Sequence, residues 1–302
     1  MSDLRSFTGL IALAAWDAIL PRDLEREPEP MAMDLEGSVE AFHDAGKDAG
    51  ALWPVYRFNR LAMSALLPED GLVFDLGSGS AQLLLHLAQL RPDVRIVGTD
   101  LSPTMLARGR RAIDEAGLGE RIKLIEADMT APPFEEFGTP DLISSVFSLH
   151  HLPDATLLMK CIEHIADAQA VTGCNVWIFD HARPRRAVTA ERFPMVVTPQ
   201  VSQALKDDSR NSLKAAFTYT ELCERTDAIP EIQHVCARYL PLYQAHWLDS
   251  ATRAALSAPS AIAAASAAAA ASAADLIDRQ QYRAFLSLWP AAVRHLVPHA
   301  RS

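Results

Sequence analysis

Positive charge is in short supply in this chain: 28 Lys and Arg stand against 38 Asp and Glu, a formal net charge of −10 over 302 residues. No Lys/Arg stripe runs along any segment, and the trio Arg183, Arg185 and Arg186 is too small to make one. Nucleic acids and anionic membranes are bound through clustered positive charge, so neither is expected as a partner. Long apolar runs are lacking as well. The stretch Phe7 to Trp16 is far shorter than the roughly 18 apolar residues of a membrane span, and Asp3 offsets Arg5 where a signal peptide would be basic. Leu4, Phe7, Ile11, Ala14 and Ala18 share one helical face, which predicts an amphipathic helix instead. Cysteine is scarce. Cys161, Cys174, Cys223 and Cys236 form no C-x-x-C pair and have no histidine nearby at zinc-ligand spacing. They read as reduced residues of a cytoplasmic protein. The carboxylates are dispersed and no His/Asp cluster has ligand spacing, so no metal is expected.

What is present is ordinary globular material, 49% hydrophobic and 22% charged, in a chain long enough for one α/β domain with additions. Apolar runs near 72–75, 94–99, 122–126, 141–146 and 174–180 predict strands covered on both faces. Helical segments alternate with them: Ala81 to Leu90, stopped before Pro92; Ser102 to Ala116, with Ser102 as N-cap and Pro103 in the first turn; and Ala155 to Ala166. Such alternation implies a mostly parallel sheet with right-handed crossovers. Ligands bind these sheets beyond the carboxyl ends of the strands.

The most specific signal is Val73-Phe74-Asp75-Leu76-Gly77-Ser78-Gly79-Ser80, followed by a second apolar run that ends on Asp100. The glycines let backbone N–H groups approach a ligand without a Cβ in the way, and the helix N-terminus behind them adds partial positive charge. An acid ending the second strand is placed to accept hydrogen bonds from a ribose diol. Downstream come Ile125-Glu126-Ala127-Asp128-Met129 and a fourth strand running from Asp141 into Phe147-Ser148-Leu149-His150-His151-Leu152-Pro153.

Together these four motifs resemble the class I S-adenosylmethionine (SAM) dependent methyltransferases over roughly Ala51 to Leu248. The third glycine of that family's loop is Ala81 here. The resemblance implies a Rossmann-like α/β fold: a seven-stranded, mostly parallel sheet with helices on both faces and an antiparallel closing strand. It implies SAM as cofactor, with Asp75, Gly77, Ser78 and Gly79 beside its amino-acid part. Asp100 and Leu101 would sit at the ribose, and Asp128, Met129, Met105 and Phe147 around the adenosyl and sulfonium groups. It also implies an N-terminal lid over the cofactor, from which Tyr56 and Arg60, with Trp53 and Phe58, are candidates to touch substrate, as is Ser148. Simple packing of these aromatics onto the sheet is the alternative.

His150 and His151 are base candidates, because imidazole titrates near neutrality; a packing role in the loop competes with that reading. Asp180 and His181, at the end of the fifth strand, form a second polar pair, although adjacent strand residues point to opposite faces. Asp207, Asp208, Arg210 and Asn211 form a polar run read as a solvated helix face, with recognition of a charged substrate as the sharper alternative.

The organisation expected is an N-terminal helical cap over 1–50, a SAM-binding core over 51–250 with a substrate-side insertion at 183–217, and an Ala-rich helical extension over 251–302. Within the cap, Arg22 to Pro30 reads as a linker. Within the insertion, two prolines between Phe193 and Pro199 precede a polar helix, Val201 to Ala216. Thr220 to Thr226 predicts a last core helix, and Glu231 to Tyr239 with Tyr243 to Leu248 a closing strand pair. Ile277, Phe285, Leu288 and Trp289 suggest a tail that docks on the core or on a second subunit, in a monomer or homodimer.

The activity expected is methyl transfer to a small-molecule acceptor. Use of SAM's aminocarboxypropyl arm, by transfer or by cyclisation releasing methylthioadenosine, is the main alternative. A SAM-binding scaffold without turnover is a third reading. A nicotinamide-dependent dehydrogenase would leave Asp75, Asp128-Met129 and the closing strands without a role.

Overall fold

A computed structural model describes residues 2–34, 36–48, 50–226, 234–239 and 242–248. The Ala-rich extension and its proposed docking stripe lie outside the described residues. Seven strands form one sheet: β1 (Leu72–Leu76), β2 (Arg95–Asp100), β3 (Ile122–Glu126), β4 (Leu142–Val146), β5 (Asn175–His181), β6 (His234–Tyr239) and β7 (Tyr243–Leu248). Their spatial order is β3-β2-β1-β4-β5-β7-β6. The first five run parallel, while β7 is antiparallel to β5, with Asp180 opposite Gln244. β6 is antiparallel to β7 in turn. This is the Rossmann-like sheet with a reversed closing strand that the motifs imply.

Alternation along β1 shows how the core divides. Val73 faces one side, with Met63, Leu84, Ile96, Trp177 and Phe179. Phe74 and Leu76 face the other, with Ile143, Ile178, Leu158, Ile162 and Ile165. Both layers are dry, which is why the strands read as continuous apolar runs. The first layer is covered by α3 (Trp53–Ala65) and α4 (Gln82–Leu90), the second by α6 (Ala155–Thr172). Asn59 of α3 accepts a 2.8 Å bond from the Trp177 indole, so helix and sheet are locked by a polar pair inside apolar packing. Between β2 and β3, α5 (Pro103–Glu115) begins on Ser102, whose hydroxyl caps the Met105 N–H at 3.0 Å.

The N-terminal region forms α1 (Ser2–Ile19), an extended strap over 20–34, and α2 (Glu36–Ala45). The amphipathic face of α1 is not the one expected. Leu10, Leu13 and Asp17 are buried, whereas Ile11 and Ala18 are exposed. Asp17 accepts from the Arg185 and Arg186 backbone N–H groups at 3.1 and 3.0 Å, just ahead of α7 (Ala187–Val197). An inward-facing carboxylate breaks a hydrophobic pattern, so the true stripe was disguised.

The linker expected over Arg22 to Pro30 is bonded to the core instead. Arg26 donates to Pro153 and Leu152 carbonyls at 2.5 Å each, to Ala215 at 2.6 Å and to His150 at 3.2 Å, while its guanidinium lies 4.0 Å over the Phe217 ring. The insertion holds one more helix than expected, because α7 continues through Pro194. It is followed by α8 (Gln203–Ala215), and α9 (Tyr219–Thr226) precedes the closing strands.

Candidate active site

A cavity of about 770 Å³ opens at the carboxyl ends of β1, β2 and β4 and extends under α7, α8 and the N-terminal strap. Its first half is built by the glycine loop. Gly77 has φ +74°, and a Cβ there would lie 2.3 Å from Ser148 Cβ, so the loop presses directly onto the turn after β4. Ser148 completes that junction by donating to the Leu76 carbonyl at 2.7 Å. Gly79 has φ +52°, a Cβ there would meet Phe42 and Met105 only at van der Waals distance, 3.8 and 3.9 Å, and its N–H donates to Asp100 Oδ2 at 2.7 Å. Ala81 takes a left-handed conformation, φ 62°, as the N-cap of α4. A non-glycine residue there costs roughly 1–2 kcal/mol, and its buried methyl group recovers part of it.

Asp100 accepts a second backbone bond, 2.9 Å from Ser102 N–H to Oδ1, so both oxygens are held but each keeps acceptor capacity for a diol. Burial raises the Asp100 pKa, with backbone donors opposing. Asp75 is buried at the floor and accepts from Ser144 Oγ at 2.5 Å. Burial, with the Asp100 charge beside it, raises its pKa to about 7. Ser78, Leu101, Met105, Ala127 and Met129 also line this half. Asp128 does not line it. Its carboxylate turns back to accept from Thr130 N–H at 2.8 Å, closing its own turn. Its neighbours Ala127 and Met129 face the cavity in its place.

The second half gathers the sequence's scattered histidines. Phe147, at φ 56°, ends β4 in a strained backbone conformation and stacks on His181 with ring centroids 4.6 Å apart. Tyr243 of β7 closes the group, 5.4 Å from His181. Asp180, expected to pair with its neighbour His181, reaches His150 instead. His150 Nδ1 lies 2.6 Å from Asp180 Oδ1, and the His150 backbone N–H donates to Oδ2 at 3.0 Å. Alternation on β5 explains the exchange: Asp180 points away from the cavity, and His181 points into it. The 3₁₀ turn Leu149–His151 then brings His150 back over Asp180.

A further carboxylate completes this group, one that the sequence reading did not single out. Glu29 Oε1, from the strap, lies 3.2 Å from His150 Nε2 and 3.7 Å from His151 Nδ1, and it accepts from Ser212 Oγ at 3.2 Å. Pro28 and Pro30 flank Glu29, fixing an extended chain on both sides; that is the one signal available in the sequence. His151 Nδ1 is 2.9 Å from the Pro30 carbonyl, which can only accept, so that nitrogen carries the proton.

Burial opposes a charged ring at His150, but the carboxylates of Asp180 and Glu29 outweigh it and raise its pKa to about 10. His150 is therefore an imidazolium at neutral pH, clamped between two carboxylates. Burial and the His150 charge lower His181 to about 3, so it is neutral, with a buried Nδ1 that has no hydrogen-bond partner among the described residues. Among the described residues, Glu29, His150 and His151 also have ligand-type atoms within 4.8 Å of one another.

Three expected contacts fall elsewhere. Arg60 lies with its guanidinium 4.6 Å over the Trp53 ring, and Phe58 packs in the core against Trp177 and Phe179. None of Arg60, Trp53 and Phe58 lines the cavity, whereas Tyr56 does. Asp208, expected on a solvated face, lines the cavity with Ser209 and Ser212 of α8. Asp207 next to it is exposed and paired with Arg210.

Residues 73–173 match the family model described as a methyltransferase domain. A demethylmenaquinone methyltransferase of Thermus thermophilus is 34% identical over 99 residues, 32% of this chain and 44% of that protein. One from Roseiflexus castenholzii is 29% identical over 169 residues, 54% of this chain and 64% of that protein. The chain thus spans less than two thirds of the length of these curated relatives. The crystal structure of a SAM-dependent methyltransferase from Aquifex aeolicus shares the fold at a TM-score of 0.52 and 12% identity, covering 72% of this chain and 98% of that one. Joined to the sheet order and the glycine loop, the match identifies residues 73–173 as a class I SAM-dependent methyltransferase domain.

Proposed function

We propose that the whole protein is a SAM-dependent methyltransferase whose acceptor is a small molecule held in the second half of the cavity. The observation that carries this reading is continuity: one cavity runs from Asp75, Gly79 and Asp100 to His150, His181 and Tyr243. Bound SAM supplies a sulfonium methyl, whose S–C bond breaks as the bond to the acceptor forms, leaving S-adenosylhomocysteine. The residues present fit such a ligand. Asp100 offers oriented lone pairs to a ribose diol. Gly79 leaves space beside the backbone, and Leu101, Met105 and Met129 give an apolar slot for a base. Asp75, with Gly77 and Ser78, faces the amino-acid end.

The protein's own contribution is positioning and exclusion of water. Holding the reactants in near-attack geometry is worth at most roughly 7–11 kcal/mol. Residues 1–50 act as the cap and 183–217 as the substrate wall of the core spanning 51–250. The strap and α8 cover the acceptor end, and Phe147 and Ser148 border the junction between the two halves. His150 handles the acceptor's proton. Because its own proton must leave first, turnover on a hydroxyl acceptor should rise with pH towards about 10.

A cavity partly covered by the strap and α8, and a net charge of −10, favour a small acceptor over a nucleic acid. Cys161, Cys174 and Cys223 are free thiols, which supports a cytoplasmic location, and no described helix is long and apolar enough to cross a membrane. Incubation of the purified protein with methyl-labelled SAM and a metabolite extract tests the assignment. Label recovered in a low-mass product, with S-adenosylhomocysteine released, is the expected outcome; methylthioadenosine released instead would overturn it.

A further inference from the structure

The acceptor end of the cavity has an unusual charge balance. No Lys or Arg is among its described lining residues. Asp208 points into it from α8 and makes no hydrogen bond or ion pair with any described residue. The cation nearest in the network, His150, is held between Glu29 and Asp180, so that group of three is itself net negative. The same cavity is lined by apolar and aromatic side chains, including Phe193, Phe147 and Tyr243, with the neutral ring of His181.

A carboxylate taken partly out of water without a partner is unfavourable, and burial together with the Glu29 charge raises the Asp208 pKa to about 6. An anionic ligand would deepen that penalty, since no guanidinium or ammonium is among the described lining residues to receive it. An ammonium group would relieve it, and the aromatic faces would add cation–π attraction.

Building on the methyltransferase reading, we infer that the acceptor is an aromatic compound carrying an alkylammonium group, which pairs with Asp208 while its nucleophilic atom faces His150. Asp208 then serves in specificity and takes no part in the proton transfer. A carboxylate-bearing or phosphorylated acceptor is disfavoured at the same site.

Calorimetric titration of the full-length protein tests this with tyramine, tyrosol and 4-hydroxyphenylacetate, and with the same three headgroups on naphthol. These probes share a ring and differ in carrying an ammonium, an alcohol or a carboxylate. Each titration is run with saturating S-adenosylhomocysteine and without it. The ammonium probes should bind at least ten-fold more tightly than the alcohols, and the carboxylates most weakly. Asp208→Asn should bring amine and alcohol within about three-fold of each other, while Asp208→Glu keeps the preference. The inference is overturned if alcohols or carboxylates bind as well as amines, if the preference survives in Asp208→Asn, or if no ammonium probe binds. S-adenosylhomocysteine binding, measured in the same samples, separates the two levels: an amine preference without it would retain the pocket and sink the methyltransferase reading.

Discussion

Asp100 and Asp75 are both carboxylates near strand ends, yet their burial and partners give them different properties. Asp100 is fixed by two backbone donors, so its remaining lone pairs are aimed and its removal should matter to the ligand more than to the fold. Asp100→Ala should weaken S-adenosylhomocysteine binding by about 1.5–3 kcal/mol, the worth of charge-assisted hydrogen bonds. Calorimetry on a variant shown to be folded by circular dichroism checks it, and unchanged affinity would remove Asp100 from the ribose site. Asp75 has one hydroxyl donor and a folded pKa near 7, above the value near 3.8 of an exposed carboxyl. Between those values the folded state holds a proton that the unfolded state has lost. Stability of the ligand-free protein should therefore fall as pH rises from about 4 to about 7 on this group's account, then level off. Asp75→Asn should flatten that part of the profile in denaturant titrations; an unaltered profile would show that Asp75 ionises normally.

At the scale of elements, the strap is the part that turns an open crevice into a cavity. Arg26 ties it to three consecutive or nearby carbonyls after β4 and to the end of α8, and Glu29 ties it to His150. Arg26→Ala leaves several partly buried carbonyls without donors, at an expected cost of about 2–4 kcal/mol. Faster limited proteolysis within residues 20–34, with the core fragment persisting, would report that loosening; unchanged cleavage would show the strap is held by other contacts. Glu29→Gln acts on the proton instead. Losing one of two carboxylates should lower the His150 pKa, so the rising limb of the pH–rate profile should move to lower pH. A limb that stays in place would mean another group controls turnover.

These elements also mark where the sequence was legible. Strands β1 to β5, the helices between them and the glycine loop declare themselves through local patterns: apolar runs, a capping Ser102, positive-φ glycines. The site residues that such patterns carry, Asp75, Gly79, Asp100 and His150, do meet in one crevice. Contacts between distant segments left no local trace. Glu29 and Arg26 lie more than 120 residues from the groups they bind, and nothing in a linker-like stretch distinguishes a strap from a tether. The same holds for Asp180, whose choice of His150 over His181 depends on a 3₁₀ turn thirty residues away in the chain. Asp128 shows the converse error, a motif residue whose carboxylate is used by its own turn.

For the whole molecule, one layered sheet supports two half-sites that meet between Phe147 and Ser148. On the proposed reading, the cofactor half lies at the carboxyl ends of the strands, and the acceptor half is supplied by segments added before and within the core. A protein built this way should bind the product cofactor without acceptor present, and the acceptor end should discriminate by charge. The most direct test is a crystal structure with S-adenosylhomocysteine bound. The ribose hydroxyls should lie within hydrogen-bonding distance of Asp100, the base between Leu101 and Met129, and the sulfur facing Phe147 and His150. Binding elsewhere, or density that leaves Asp75, Gly79 and Asp100 uncontacted, would contradict the account.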